Sequence, residues 1–301
     1  MHLTFSLASV ALLWFHADEA APSFGDVHWS WEPAIVLPLA ILLAVYIAGA
    51  MRRGGLSRLR WRHTSFFAGW LTLFLALTSP LHELGEQLFS AHMLQHEIMI
   101  LISAPLIAAA HPGATCLWAF APRHRASLGG WVHHIELAAP IRLLTSPLIA
   151  WLLEAVALWI WHLPALYQAT LHSDWIHAAQ HMSFFVTAVL FWSALYGVGR
   201  SSLGYGAATF YVFGTAAHCS ALGALLTFST VLWYPAYLAT TARWGLTALQ
   251  DQQLGGVIMW VPSGVVFILI ALALFAKWLT ESDRRLRLGT LQTALEKERQ
   301  M

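Results

Sequence analysis

The sequence predicts an all-α integral membrane protein, a bundle of seven transmembrane helices preceded by a short, signal-like hydrophobic segment. Three observations predict it. Of 301 residues, 58% are hydrophobic and only 10% are charged, where a soluble domain carries about 25% charged residues. The apolar residues gather into seven runs, each near the roughly 20 residues that a spanning helix needs. Fifteen of the sixteen basic residues fall in alternate loops or the tail, leaving Arg243 as the exception. The net charge of +1 says little about partners, and no basic block points to nucleic acid, so none is expected. Cys116 and Cys219 stand too far apart in sequence for a CxxC metal motif or a disulfide framework.

The apolar run from Leu3 to Phe15 is too short to span and reads as a signal sequence or an uncleaved anchor. It lacks Lys and Arg, and Ala17-Asp18-Glu19-Ala20-Ala21 is a poor cleavage site. Residues 1–33 are therefore expected outside the membrane domain. That domain covers 34–279, with spans near 34–51, 64–80, 88–110, 145–163, 175–197, 206–230 and 254–278. The positive-inside rule puts the amino end outside and the tail in the cytoplasm, as for a multi-pass protein of a bacterial-type inner (plasma) membrane. The tail, 280–301, carries Leu286, Leu288, Leu291 and Leu295 among many charges and predicts a surface-lying amphipathic helix.

Sixteen histidines are unusual in so apolar a chain. His92 and His96 stand i, i+4 on one helix face, a spacing that lets two imidazoles chelate one ion. His177 and His181 repeat it. With the orientation above, both pairs lie one to two turns below the outer surface, and Trp161-His162-Leu163-Pro164 brings His162 to the same layer. His82 and His172 are expected in outer loops. Asp251 opens the last span, where it caps that helix and reaches the histidine layer as a ligand-orienting carboxylate. The candidate metal residues are thus His92, His96, His162, His177, His181 and Asp251. Gly255 and Gly256 would let the last helix approach a neighbour closely.

Other polar groups fall within the spans. Glu97 and Glu154 each need a partner in the bilayer, as an interhelical hydrogen bond or as a carboxylate orienting a ligating imidazole. Glu154 shares a helix face with His162 at i, i+8. His218 and Cys219 lie deeper. As neighbours on a helix they point about 100° apart, which argues against one ion using both. Met93, Met99 and Met182 read as core filler beside the histidines.

His92-Met93-Leu94-Gln95-His96 with Ala104-Pro105-Leu106, Trp161-His162-Leu163-Pro164, His177 to His181 with Phe184, and Asp251-Gln252-Gln253-Leu254-Gly255-Gly256 with Met259-Trp260 occur in that order. Together they resemble the CtaG family of cytochrome c oxidase assembly factors over about residues 34 to 279. Ala110-His111-Pro112 departs from the family's frequent glycine before the proline. The resemblance implies a non-enzymatic factor that helps copper reach the catalytic subunit of a haem-copper oxidase, with that subunit and a soluble copper chaperone as partners. Copper is the implied cofactor, and imidazole suits it. The alternatives are a seven-span zinc hydrolase, a haem-binding electron carrier and a metal-free chaperone. The pairs lack an HExxH arrangement, which weighs against the hydrolase, and i, i+4 doublets suit chelation better than axial haem ligation.

Overall fold

A computed structural model describes residues 28–55, 60–125, 143–197 and 203–300. The signal-like run and the cleavage segment lie outside these. Every element among the described residues is helical: α1 (Pro33–Arg52), α2 (Arg60–Thr78), α3 (Pro80–Gln87), α4 (Phe89–Ala110), α5 (Pro112–Leu117), α6 (Pro147–Trp161), α7 (Pro164–Thr170), α8 (Asp174–Tyr196), α9 (Tyr205–Thr227) and α10 (Ala248–Gln300). Two 3-10 turns, Pro235–Ala239 and Thr241–Trp244, lie between α9 and α10. Each of the seven expected spans coincides with a helix. Five are long and apolar enough to cross a membrane alone, and the count reaches seven if each of two bent pairs is one span. Those pairs are α2 with α3, bent 46°, and α6 with α7, bent 82°. Both breaks precede a proline, which restrains the residue before it from helical geometry and then starts the next helix. Large apolar side chains such as Ile41, Phe210 and Phe213 face outward, as a lipid-facing bundle requires.

Within α4 the turn Met99–Ser103 is π-helical, and Ala104 N–H bonds to Met99 O. Pro105 follows at once and has no N–H to give, so the wider turn absorbs the change of register. α4 ends at His111, whose φ of 49° lies in the left-handed region. Glycine takes that region without steric cost, which is the physical sense of the glycine expected before Pro112.

The last helix is the spine of the bundle, packing along α9 and across the start of α4. A Cβ at Gly255 would stand 2.3 Å from the Phe89 ring, and one at Gly256 only 2.6 to 2.8 Å from Thr227 and the Gly223 carbonyl. The close approach expected of this glycine pair is thus realised against two different helices. The expected tail helix is continuous with the last span: α10 runs unbroken for 53 residues, about 80 Å at 1.5 Å per residue.

The segment between α9 and α10 folds back over the bundle end where α4, α8 and α10 begin. Tyr234 Oη donates to His162 O at 2.9 Å, Tyr237 Oη to Gly85 O at 2.9 Å, and Thr240 Oγ1 to Gln87 O at 2.7 Å. Burial raises both phenols above their usual range, so they stay protonated as donors.

Gly256→Val should destabilise the detergent-solubilised protein by about 1–3 kcal/mol through overpacking. Gly264→Ala, whose new methyl meets nothing nearer than Ser220 Oγ at 3.7 Å, should leave the melting temperature unchanged. Equal melting temperatures for the two variants would overturn this account of the α9–α10 contact.

Candidate metal centre

The two i, i+4 pairs meet. α4 and α8 face each other with His92, His96, His177 and His181 all buried. His92 and His96 rings are 4.3 Å apart between centroids, as are His177 and His181. Across the helices, His92 stacks on His177 at 5.1 Å and His96 meets His181 edge-on at 5.2 Å. One ring nitrogen each of His92, His96 and His181 lies within 4.8 Å of the other two. That spacing suits a shared cation, since metal–nitrogen bonds are about 2.0–2.1 Å long.

The ring nitrogens are mostly unclaimed. His92 donates or accepts once, at 3.2 Å with Gln180 Oε1. The oxygen can only accept, so Nε2 carries the proton and Nδ1 keeps its lone pair. Six buried ring nitrogens of these four histidines have no hydrogen-bond partner among the described residues: His92 Nδ1, both of His96, His177 Nε2 and both of His181. Buried polar atoms are otherwise almost always satisfied. Six together mark a site that asks for a cation or donors from elsewhere.

His82 is a member the sequence reading missed, because it was expected in an outer loop. Instead α3 folds in, buries His82, and stacks its ring on His177 at 5.2 Å. Gln95 Nε2 donates to His82 Nδ1 at 3.0 Å, so Nε2 bears the hydrogen and faces Glu32 Oε1 at 3.3 Å. His82, Glu86 and His177 form a second group with ligand atoms within 4.8 Å of one another. Glu86 is exposed, and Glu32, Glu83 and Asp174 lie within its electrostatic reach. The mouth of the cluster is therefore acidic. A sequence signal existed, since the Ser79-Pro80 break turns a following helix inward rather than starting a loop.

His162 stands beside the cluster. Its Nδ1 donates to Leu158 O at 2.7 Å, which leaves the Nε2 lone pair facing Met93 Sδ at 3.5 Å. Neither His162 nor Asp251 belongs to the groups of close ligand atoms. His172 caps its own helix by bonding Gln168 O. On the other flank, a largely apolar cavity of about 190 Å³ between α1, α2 and α8 reaches His181.

Asp251 requires a correction. Its carboxylate accepts from Phe89 N–H at 2.6 Å, from Ser90 N–H at 3.1 Å and from the Ser90 hydroxyl. Both oxygens are thereby committed to the amino end of α4. The cap of its own helix is Thr247, whose Oγ1 accepts from Gln250 N–H at 3.2 Å while Gln250 Oε1 accepts from Thr247 N–H at 2.9 Å, a capping box. The next residues serve the covering loop: Gln252 bonds Trp233 N–H and Val231 O, and Gln253 bonds Ser229 O. Asp251 thus fixes the helix that carries His92 and His96 without itself entering the group of imidazoles.

The sequence profile of the family described as "Cytochrome c oxidase caa3 assembly factor (Caa3_CtaG)" matches residues 43–281. The chain belongs to this family. It is also 23% identical over 267 residues to an uncharacterized protein of Mycobacterium leprae, and 24% identical over 265 residues to uncharacterized proteins of Mycobacterium bovis and Mycobacterium tuberculosis. Each match covers 85% of this chain but 40% of the relative, so the chain spans less than half the length of these curated relatives. No solved structure matches.

Removing the Asp251 carboxylate leaves three buried donors unpaired. Asp251→Ala should lower stability by about 2–3 kcal/mol, at or above the upper end for a lost helix cap, with Asp251→Asn intermediate. Thermal unfolding followed by size-exclusion fluorescence measures it, and an unchanged melting temperature in Asp251→Ala would refute the capping role.

Proposed function

We propose that this protein is a membrane assembly factor that holds copper transiently in the histidine cluster and assists its delivery to the catalytic subunit of a haem-copper oxidase. The family supports oxidase assembly. The observation that carries the metal is the set of six unpartnered ring nitrogens on four buried imidazoles. Neutral imidazole is a good ligand for copper, and the group of His92, His96 and His181 is made of imidazoles alone.

The arrangement also suits release. The acidic mouth draws a cation in. His82 and His177 stand between that mouth and the inner group of His92, His96 and His181. An ion can then move by exchanging one imidazole for the next rather than losing all ligands at once. The loop charges support an outer position for this end, the side from which copper would pass to the oxidase subunit or arrive from a soluble chaperone.

A His92→Ala, His96→Ala double variant, loaded anaerobically with Cu(I) in detergent, should retain about one copper per chain fewer than wild type. In cells it should insert into the membrane normally while oxidase activity falls several-fold. Equal copper retention with wild-type oxidase activity would sink the copper reading in favour of a metal-free chaperone. Selective zinc retention with hydrolytic turnover would favour the zinc hydrolase.

A further inference from the structure

A second cluster of ligand-type side chains lies deeper in the bundle, where α6 meets α9. Glu154 Oε2 is 3.3 Å from His218 Nε2, and His218 Nδ1 is 3.9 Å from Cys219 Sγ. One ligand atom of each residue lies within 4.8 Å of the other two. Glu154 and Cys219 are both more than nine-tenths buried. Glu154 Oε2 and His218 Nε2 face each other at ion-pair distance, yet neither has a hydrogen-bond partner among the described residues. The same holds for Trp151 Nε1, whose ring meets His218 edge-on at 5.5 Å, and for Glu97 Oε2, one turn below Met93 on α4. Trp151 Nε1 and Glu97 Oε2 lack even an ion-pair contact of that kind among the described residues, whereas buried polar atoms are almost always paired.

Divergence by about 100° argues against neighbours on a helix sharing an ion, yet here the two ligand atoms come close. A metal about 2.0 Å from nitrogen and 2.3 Å from sulfur spans up to about 4.3 Å between them, and the Nδ1–Sγ separation is 3.9 Å.

The geometry points to Glu154, His218 and Cys219 as a second station for a soft monovalent cation, Cu(I), inside the membrane domain. Sulfur and imidazole hold the ion. As the sulfur–copper bond forms, the thiol proton leaves for the Glu154 carboxylate, with no change of oxidation state. The carboxyl is then neutral and the thiolate's negative charge balances the ion's positive charge, so the buried site ends uncharged, whereas a dication would leave it charged. Met93, which faces His162, and Met259 belong to the same packed cluster as Cys219. Glu154 is eight residues, about 12 Å of helix, from His162. The choice of copper rests on the proposed function; the existence of the station does not.

The test uses full-length protein in detergent, Cu(I) alone as the probe, copper counted after desalting, and X-ray absorption at the copper edge. His92→Ala, His96→Ala should still retain about one copper per chain with a copper–sulfur shell. Adding Cys219→Ser should reduce it to less than about a tenth and abolish that shell. Retention in the double variant that Cys219→Ser leaves intact, or no copper in the double variant while wild type binds it, would overturn the second station and leave the histidine cluster standing. Copper that survives loss of His92 and His96 undiminished but disappears with Cys219→Ser alone would uphold this station and overturn the other. His218→Gln, which keeps the side chain long and polar, should give the same loss and serves if Cys219→Ser does not fold.

Discussion

The grip of Asp251 on the first turn of α4 is the constraint on which the rest depends. Helix amino ends leave N–H groups unpaired, and in an apolar setting each costs free energy. A carboxylate from the last helix satisfies two of them and the Ser90 hydroxyl at once. The same turn of α10 presses Gly255 on Phe89, so register and distance between α4 and α10 are set together. His92 lies two residues beyond Ser90. Its position toward α8 follows from this clamp, and so does the meeting of the two histidine pairs.

Around that clamp, polar residues divide into those that are satisfied and those that are not. Gln252, Gln253, Tyr234, Tyr237 and Thr240 make hydrogen bonds that hold the covering loop in place, and Gln95 Nε2 ties down His82 on α3. The imidazoles they enclose keep free nitrogens. A hydrogen-bonded frame around an unsatisfied centre is what a preorganised ligand set looks like, since the shell bears the cost of holding the donors together before any ion arrives. The deeper Glu154, His218 and Cys219 group has the same character with softer chemistry.

The sequence by itself determined the helical membrane class, the positions of the seven hydrophobic segments and the matching i, i+4 pairs of histidines at corresponding places in two of them. Those rest on local rules: apolar run length, loop charge and the 3.6-residue period act within a segment or its flanks. It also exposed the close packing at Gly255 and Gly256, because small residues leave few other uses in an apolar helix. Only the tertiary structure decided the rest. His82 joined the cluster because a proline break swung α3 inward. Asp251 bound another helix because Thr247 and Gln250 had already capped its own. Glu154 turned to His218 rather than His162, and His218 converged on Cys219 despite their helical divergence. Each of these is a choice among several polar partners at equal depth, and which one is reached depends on helix rotation and approach fixed by contacts far away in the chain.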